Sequence, residues 1–349
     1  MRKVFILICA TLIAISTAAQ EPLDTIHFTA VSWNVENLFD LTDDSLKNDQ
    51  EFLPEGKRHW NYLRYKQKLN NIAKTIVAAG KWNLPALVAL CEVENDSVLW
   101  DLTHYSALRQ AGYRYVITES ADERGIDVAL LYQRHLFKLI SQHSYRVPKP
   151  KPSSRPTRDI LHVTGVLLNQ DTLDVFVAHF PSRSSGVKET MPYRLNAANR
   201  IKTACDSLCA IRRNPQIIIM GDFNDYPQDK SIKDVLQAVA PPTDTCLIDP
   251  NSLYHLLARK AATRKNYGSY KYRGEWELID HIIVSGTLLN PNNLLYTNEE
   301  KADVFSTPFL LTTDQNYGNQ QPNRTYLGTV YTGGYSDHLP LVVDFRLIY

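Results

Sequence analysis

Acids, amides and imidazoles recur at the ends of short apolar runs in this chain, and that placement is the first sign of chemistry. Residues 29–33 run into Asn34, A-L-V-A-L-C at 86–91 runs into Glu92, and residues 173–178 run into His179. Q-I-I-I-M at 216–220 leads to Gly221, Asp222, Phe223 and Asn224, and residues 277–279 lead to Asp280. A Gly-Gly-Tyr turn at 333–335 leads to Ser336, Asp337 and His338 before a last apolar run at 339–345. One acid after a strand is an ordinary solvated turn, and one histidine is most often structural. A recurring series needs a shared polar cavity, because polar groups beside buried runs must find partners. Carboxylates and amides drawn from several strands are the ligands of a hard divalent cation. Mg²⁺ takes one or two carboxylates and keeps waters for a substrate phosphate. Two imidazoles beside such acids suit stabilisation of a phosphoryl group and proton transfer. No Cys/His cluster points to zinc, no Gly-rich strand-turn-helix segment to a nucleotide cofactor, and no G-x-S-x-G to a serine hydrolase.

The elements that must position these groups are short and rich in β-branched residues, which predicts strands buried on one or both faces. Helices are predicted at 62–79, 97–111, 193–212 and 231–239; the first sets Leu69, Ile72, Ala73 and Ile76 on one face. Residues 146–158 read R-V-P-K-P-K-P-S-S-R-P-T-R, with five positive charges and prolines that stop helix and ladder formation. This segment reads either as a solvated linker or hairpin tip, or as an arm that touches a polyanion.

The 349 residues fit two domains or one large one. With 44% apolar and 21% charged residues, the composition excludes a disordered tail, a collagen-like repeat and a multi-span membrane protein. A formal charge of +1 provides no bulk basic field, so any nucleic acid is met through a local patch. Arg2 and Lys3, an apolar run at 4–15 and small residues at 16–19 predict a secretory signal peptide over 1–19. Export to the periplasm or the medium follows, and loss of Arg2 and Lys3 takes the formal charge to −1. Cys91, Cys205, Cys209 and Cys246 then remain, too few for a disulfide framework. Cys91 is expected as a buried thiol, and a bridge from Cys205 or Cys209 to Cys246 is left open. No second apolar stretch reaches membrane length, so no stable membrane insertion is expected, and the protein is read as a monomer.

The ordered set W-N-V-E-N at 33–37, E-V-E at 92–94, A-H-F at 178–180, G-D-F-N-D at 221–225, I-D-H-I-I at 279–283 and S-D-H-L-P at 336–340 resembles the endonuclease/exonuclease/phosphatase superfamily, the DNase I-like group. The resemblance runs from about residue 28 to the end. It implies one domain over 20–349, of class α/β (α+β): a four-layer α/β/β/α sandwich of two mainly antiparallel sheets with the site at one edge. It also implies roles. Asn34 and Glu92 form the metal-side pair, Glu92 being the principal ligand of Mg²⁺ (Mn²⁺ or Ca²⁺ as alternatives), with Asp337 a second acid near the metal. Asn34 also faces the substrate. Asp222 orients or deprotonates the attacking water, and Asn224 holds the phosphate. His338 touches the phosphate and is oriented by Asp280. His179 protonates the leaving oxygen or binds phosphate.

Looser expectations surround that set. Arg124, in R-G-I-D-V-A-L at 124–130, is a phosphate contact, with Asp127 the alternative polar residue there. Arg183 is a phosphate clamp or a surface arginine. Asp225 is a helix N-cap before Pro227 rather than a site residue. The implied activity is that of a secreted Mg²⁺-dependent phosphodiesterase, an endonuclease cutting DNA or RNA by in-line attack of water. The alternative is a phosphatase or a sphingomyelinase-like phospholipid phosphodiesterase, for which residues 304–311 would be a lipid-facing loop; their other reading is a buried strand and turn. A catalytically silent binding protein is disfavoured because every core position holds a competent residue. Shared motifs do not choose the substrate.

Overall fold

A computed structural model describes residues 24–349; the expected signal peptide at 1–19 lies outside them. The main strands are β1 (Thr25–Leu38), β2 (Leu87–Val93), β3 (Tyr113–Ile117), β4 (Asp127–Gln133), β5 (Phe137–Tyr145), β6 (Ile160–Leu167), β7 (Thr172–His179), β8 (Gln216–Asp222), β9 (Leu253–His255), β10 (Asp280–Ser285) and β11 (Leu341–Ile348). The main helices are α1 (Tyr62–Ala79), α2 (Asp96–His104) and α3 (Val187–Ile211). One sheet has the order β11-β1-β2-β4-β3, widened at β11 by the short strands Leu295–Tyr296 and Ala302–Val304; the other has the order β5-β6-β7-β8-β10-β9. β1–β2 and β7–β8 run parallel, and the other neighbours named run antiparallel.

Strand alternation builds the layers. Phe28, Ala30, Ala89 and Cys91 of the first sheet meet Val175, Val177, Ile218, Met220, Ile282 and Val284 of the second. The residues of opposite phase, Val31, Trp33, Val88 and Leu90, face outward onto Leu69, Ile72, Ala73 and Ile76 of α1. On the far side Phe176, Ala178, Ile217 and Ile219 pack on Ala197, Ala198, Ile201 and Leu208 of α3. The result is the expected α/β/β/α sandwich.

Several local expectations change. α1 has its expected bounds, and the Asn61 side chain accepts the Leu63 and Arg64 N–H groups as its cap. The helix expected at 97–111 is broken: α2 stops at His104, and Ser106 caps a separate 3₁₀ turn, Ala107–Gln110. The stretch from 231 is a six-residue π turn, Ser231–Leu236. α3 begins before the expected residue 193 and contains Pro192. Among the described residues no disulfide forms: their four cysteines are free, Cys91 and Cys205 buried. Residues 304–311 are packed, with Phe305 against the α1-side core, Leu310 buried and the Phe309 ring 5.1 Å from Tyr335. Among the described residues no helix is long and apolar enough to cross a membrane.

One correction explains how the site is assembled. No strand runs into Asp280. Glu275–Glu277 pairs with Tyr270–Tyr272 as a hairpin, and Asp280 opens β10. Because β10 lies antiparallel to β8, its start stands at the edge where β8 ends. β11 is likewise antiparallel to β1. A single edge therefore gathers the last residues of β1, β2, β7 and β8 and the first of β10 and β11.

Candidate active site

His179, Asp222 and Asp280 form one row across β7, β8 and β10, Asp222 being the Cα partner of both. The phase that buries Val177, Met220 and Ile282 between the sheets puts these three next on the same face. The polar row caps the inter-sheet core. Gly221 makes the row fit: it sits at φ 141°, and a Cβ there would lie 1.8 Å from the Ala178 carbonyl oxygen. Only glycine lets β8 approach β7 this closely.

The other sheet reaches across. Asn34 Nδ2 donates to Asp222 Oδ2 at 3.1 Å, while Asn34 Oδ1 accepts the Glu36 N–H. Asp222 Oδ1 accepts the Asn224 N–H at 2.9 Å. Glu36, Asn37, Glu92 and Asn224 all hold left-handed backbone, with φ between 51° and 64°. Such strain gathers at functional edges, where the surrounding packing imposes it. Glu92 Oε2 accepts the Asn37 N–H at 3.0 Å, and Oε1 lies 3.9 Å from His179 Nε2, beyond hydrogen-bond range. Asn224 Nδ2 donates to the Phe180 carbonyl at 3.0 Å. Ser336 ties the last loop to β1: its Oγ donates to the Asn34 carbonyl and accepts the His338 N–H.

The two imidazoles are held in opposite charge states. His338 Nδ1 donates to Asp280 Oδ2 at 2.7 Å, and Ser269 Oγ donates to the same oxygen. Burial opposes a charge on His338, but Asp280 and Asp222 outweigh it and hold the imidazole well above its usual range. His179 Nε2 lies 3.5 Å from Asp222 Oδ2 and its Nδ1 has no partner. Burial first, then the Arg158 and Arg124 charges, push His179 well below its usual range. Burial and the neighbouring Asp280 raise the Asp222 carboxyl to about 7.

The donor set suits a hard cation. Asp222, Asp280 and His338 place ligand-type atoms within 4.8 Å of one another, and with His338 cationic the two carboxylates are the donors of that group. Asp280 Oδ1 is buried without a hydrogen-bond partner, and Glu92 Oε1 stands free of one. Carboxylate and amide oxygens of this kind fit Mg²⁺ or a similar ion. The nearby thiol, Cys91, instead donates to the Ala178 carbonyl inside the core.

The remaining expected residues are spread around this centre. Asp337 Oδ2 accepts from Arg324 at 2.8 Å. Arg183 is ion-paired with Glu277 at 3.1 Å and lies over the Tyr226 ring. Arg124 is half exposed, 3.7 Å from Asp122. Asp127 is structural: buried, it accepts from Thr118 Oγ1 and the Ser120 N–H. Asp225 is no helix cap; it is buried, ion-paired with Arg194 at 2.7 Å and bonded by Ser231.

Two groups went unnoticed in the residue pattern. Arg158 is buried, donating to Asp122 at 3.1 Å and to the Phe180 carbonyl at 2.7 Å, so it belongs to the His179 side rather than to a solvated segment. Glu36, Lys68 and Arg324 form a second layer below the acids. Glu36 accepts the Thr325 N–H and faces Arg324, and Lys68 donates to Thr325 Oγ1 and the Tyr335 carbonyl. Burial lowers the Lys68 ammonium to about 8 despite Glu36 and Asp337. Glu36 lies inside W-N-V-E-N, which was a visible signal. Lys68 on a helix was not.

Comparison with known proteins agrees with this architecture. Solved structures with the same fold include an endonuclease/exonuclease/phosphatase family protein from Bacteroides thetaiotaomicron, at 16% identity over 93% of this chain and 99% of that one, TM-score 0.57. The human Nocturnin catalytic domain shares 16% identity over 93% and 97%, TM-score 0.53. TDP2 from D. rerio shares 12% over 91% and 98%, TM-score 0.52. No curated protein sequence matches the chain. The model of one family, described as endonuclease/exonuclease/phosphatase, matches residues 29–346. The chain belongs to the endonuclease/exonuclease/phosphatase family.

Proposed function

We propose that this chain is an exported, Mg²⁺-dependent phosphodiesterase that hydrolyses nucleic-acid phosphodiester bonds by in-line attack of water. The observation that carries the reading is Asp222. It is a buried carboxyl, bonded by Asn34 from the opposite sheet and by the Asn224 N–H, with an imidazole on either side of its Oδ2. A carboxylate fixed in this way suits orienting a water and removing its proton. Nucleic acid is favoured by the TDP2 structure from D. rerio, which is complexed with a single-strand DNA product.

Glu92 and Asn34 would hold the metal ion, with Asp222 at its border. When bound, such an ion neutralises phosphate oxygens and acidifies water. The protein's own residues do the rest. Asp222 orients the water opposite the leaving oxygen and accepts its proton as the new P–O bond forms and the ester P–O bond breaks. His338, kept cationic by Asp280, donates to a non-bridging phosphate oxygen. His179, kept neutral and 3.5 Å from Asp222, hydrogen-bonds the departing oxygen, which leaves with the proton that Asp222 took from the water. Asn224 braces the Phe180 carbonyl and so the loop that follows His179.

The test is hydrolysis of supercoiled plasmid DNA by the purified chain with Mg²⁺, beside an inositol phosphate and sphingomyelin, with Asp222→Ala as control. Nicking that both EDTA and Asp222→Ala remove is the expected result. Release of phosphate or phosphocholine with plasmid intact would move the substrate to the small-ester or lipid class and overturn the nucleic-acid reading.

A further inference from the structure

The basic segment between β5 and β6 is the hairpin tip at the catalytic edge, because β5 ends and β6 begins on the side where β7 ends. Tyr145 pairs with Ile160, the residue before Leu161, which pairs with Val177. Two strand spacings, about 10 Å, therefore separate Tyr145 from the His179 end of β7. Arg158 anchors one foot of the tip, and the Asn196 side chain of α3 holds the Pro148 carbonyl near the other. Arg146 and Arg155 are matched by Asp159 and Glu123. Lys149 and Lys151 are exposed and lack a carboxylate within 4.0 Å among the described residues.

A groove of about 370 Å³ opens below the tip on the outer face of the second sheet, between β5, β6 and α3. His143, Tyr145 and His162 cluster along it with centroids 5.9 to 6.4 Å apart; His162 is buried and stacked on Phe176, Tyr145 is half-buried and His143 is exposed. Arg200 lies 4.6 Å from the centre of the Tyr145 ring, with no ion-pair partner among the described residues, and its Nε is buried with no hydrogen bond. The acid of the groove, Asp174, is already satisfied by Thr164, His162 and Arg212. The groove thus offers the exposed His143 ring and the half-buried Tyr145 ring with the unpaired Arg200 guanidinium over it, and the tip above offers free ammonium groups. That combination is what binds a single strand: cations track the phosphates and rings stack the bases.

We propose that the tip and the groove form one binding track for single-stranded nucleic acid, leading the strand from the catalytic edge down the outer face of the second sheet. The proposal rests on the nucleic-acid reading of the active site and deepens it. A duplex keeps its bases stacked and cannot use the His143 and Tyr145 rings, so the track selects single-stranded substrate or a frayed end.

The experiment is fluorescence anisotropy with a labelled single-stranded DNA of about 12 nucleotides in EDTA, where no turnover occurs, across a salt series. The variants are Lys149→Ala/Lys151→Ala and Arg200→Ala, with Arg200→Lys as the conservative partner and thermal melting as the folding control. The lysine pair should lower the salt slope by about 1.4, and Arg200→Ala should weaken binding about 10-fold or more, partly restored by Arg200→Lys. Folded variants that bind like the wild type, or a wild type that binds no single strand, overturn the track. Wild-type turnover of a small chromogenic phosphodiester, run in parallel, separates the two readings. Binding lost in the variants without wild-type turnover keeps the track and removes the hydrolase; turnover with unaltered binding does the reverse.

Discussion

His338 and His179 are both buried within 4 Å of the same Asp222 oxygen, yet their surroundings drive them apart. On the His338 side stand Asp280, Ser269 and Tyr270, whose ring lies 4.8 Å from the imidazole. On the His179 side stand Arg158 and Arg124. Desolvation opposes charge on both, so it cannot explain the difference. The charges that the two do not share explain it: Asp280 and Asp337 beside His338, Arg158 and Arg124 beside His179. Two titratable groups pushed in opposite directions across one cavity mark an acid side and a neutral side, the division that ester hydrolysis needs. The comparison also shows why the site is an edge. Asp280 and His338 stand at or just before strand starts and His179 at a strand end, and only the antiparallel turn of β10 and β11 brings them level.

The comparison breaks most visibly at Asp280. In Asp280→Asn the carboxylate charge beside His338 is gone, so the His338 imidazole should fall toward its ordinary range by NMR titration. Loss of a charged, pre-oriented donor should lower kcat on the order of 10²–10³-fold with little change in KM. A His338 that still titrates high in this variant would show that Asp222 or Asp337 sets its charge instead.

Arg158 tests the opposite side. Arg158→Met should move His179 upward, since the largest of the three cationic influences that depress it is removed. It also strands Asp122, which is buried beside it. Breaking a buried pair by removing one partner typically costs about 3 kcal/mol or more, read by chemical denaturation. An unchanged His179 titration with that loss of stability would make Arg158 a purely structural anchor.

What the residue pattern shows and what it hides follow from the range of the interactions. The acids at strand tips are visible because strand alternation and β-branched runs are local, and the helical face of α1 is visible for the same reason. Asp280 was placed at the end of a strand rather than the beginning, because strand direction depends on pairing with β8 some sixty residues earlier. Arg158 belongs to a segment that reads as a solvated linker or hairpin tip or as an arm toward a polyanion, but its partners are Asp122 and the Phe180 carbonyl on other loops. Asp225 has the local form of a cap; its partner Arg194 lies on α3 and is joined to it only by the fold. The opposite charge states of the two histidines could not be read from I-D-H, A-H-F or S-D-H, since each field is assembled from distant segments.

His255 and His281 provide a third case, imidazoles lowered by burial, which at His281 outweighs the nearby Asp280 and Asp229. Leu257 N–H donates to His255 Nδ1, so His255 Nε2 carries the proton and donates to His281 Nδ1, and His281 Nε2–H donates to the Asp225 carbonyl at 2.8 Å. Every ring nitrogen is used, and one more proton would set two donors against each other. Burial lowers His281 from 6.5 to about 4. The unfolded chain therefore binds the extra proton first as pH falls. Stability is fully present above 6.5 and declines toward 4, by about 2–3 kcal/mol from His281 alone at pH 4.5. Denaturation at pH 7 and pH 4.5 should show this loss, and His281→Gln should reduce the difference by that amount. A variant as acid-sensitive as the wild type would move the source of the loss to the carboxylates of the site.

The smallest effect belongs to Arg124, and it distinguishes a field from a contact. Its side chain is 49% exposed, so water and salt screen its action on His179. If it acts only as part of the field, Arg124→Ala should raise KM a few-fold, roughly 2–5, at low ionic strength, and the effect should vanish near 0.5 M salt. Direct contact with a phosphate oxygen would behave otherwise. A guanidinium fork closed on phosphate loses geometry as well as charge on truncation, and Lys restores only the charge. Arg124→Lys should therefore match the wild type in the first case and resemble Arg124→Ala in the second. With Arg158 anchored to Asp122 and the Phe180 carbonyl, the field reading assigns Arg124 the adjustable part of the cationic side and Arg158 the fixed part.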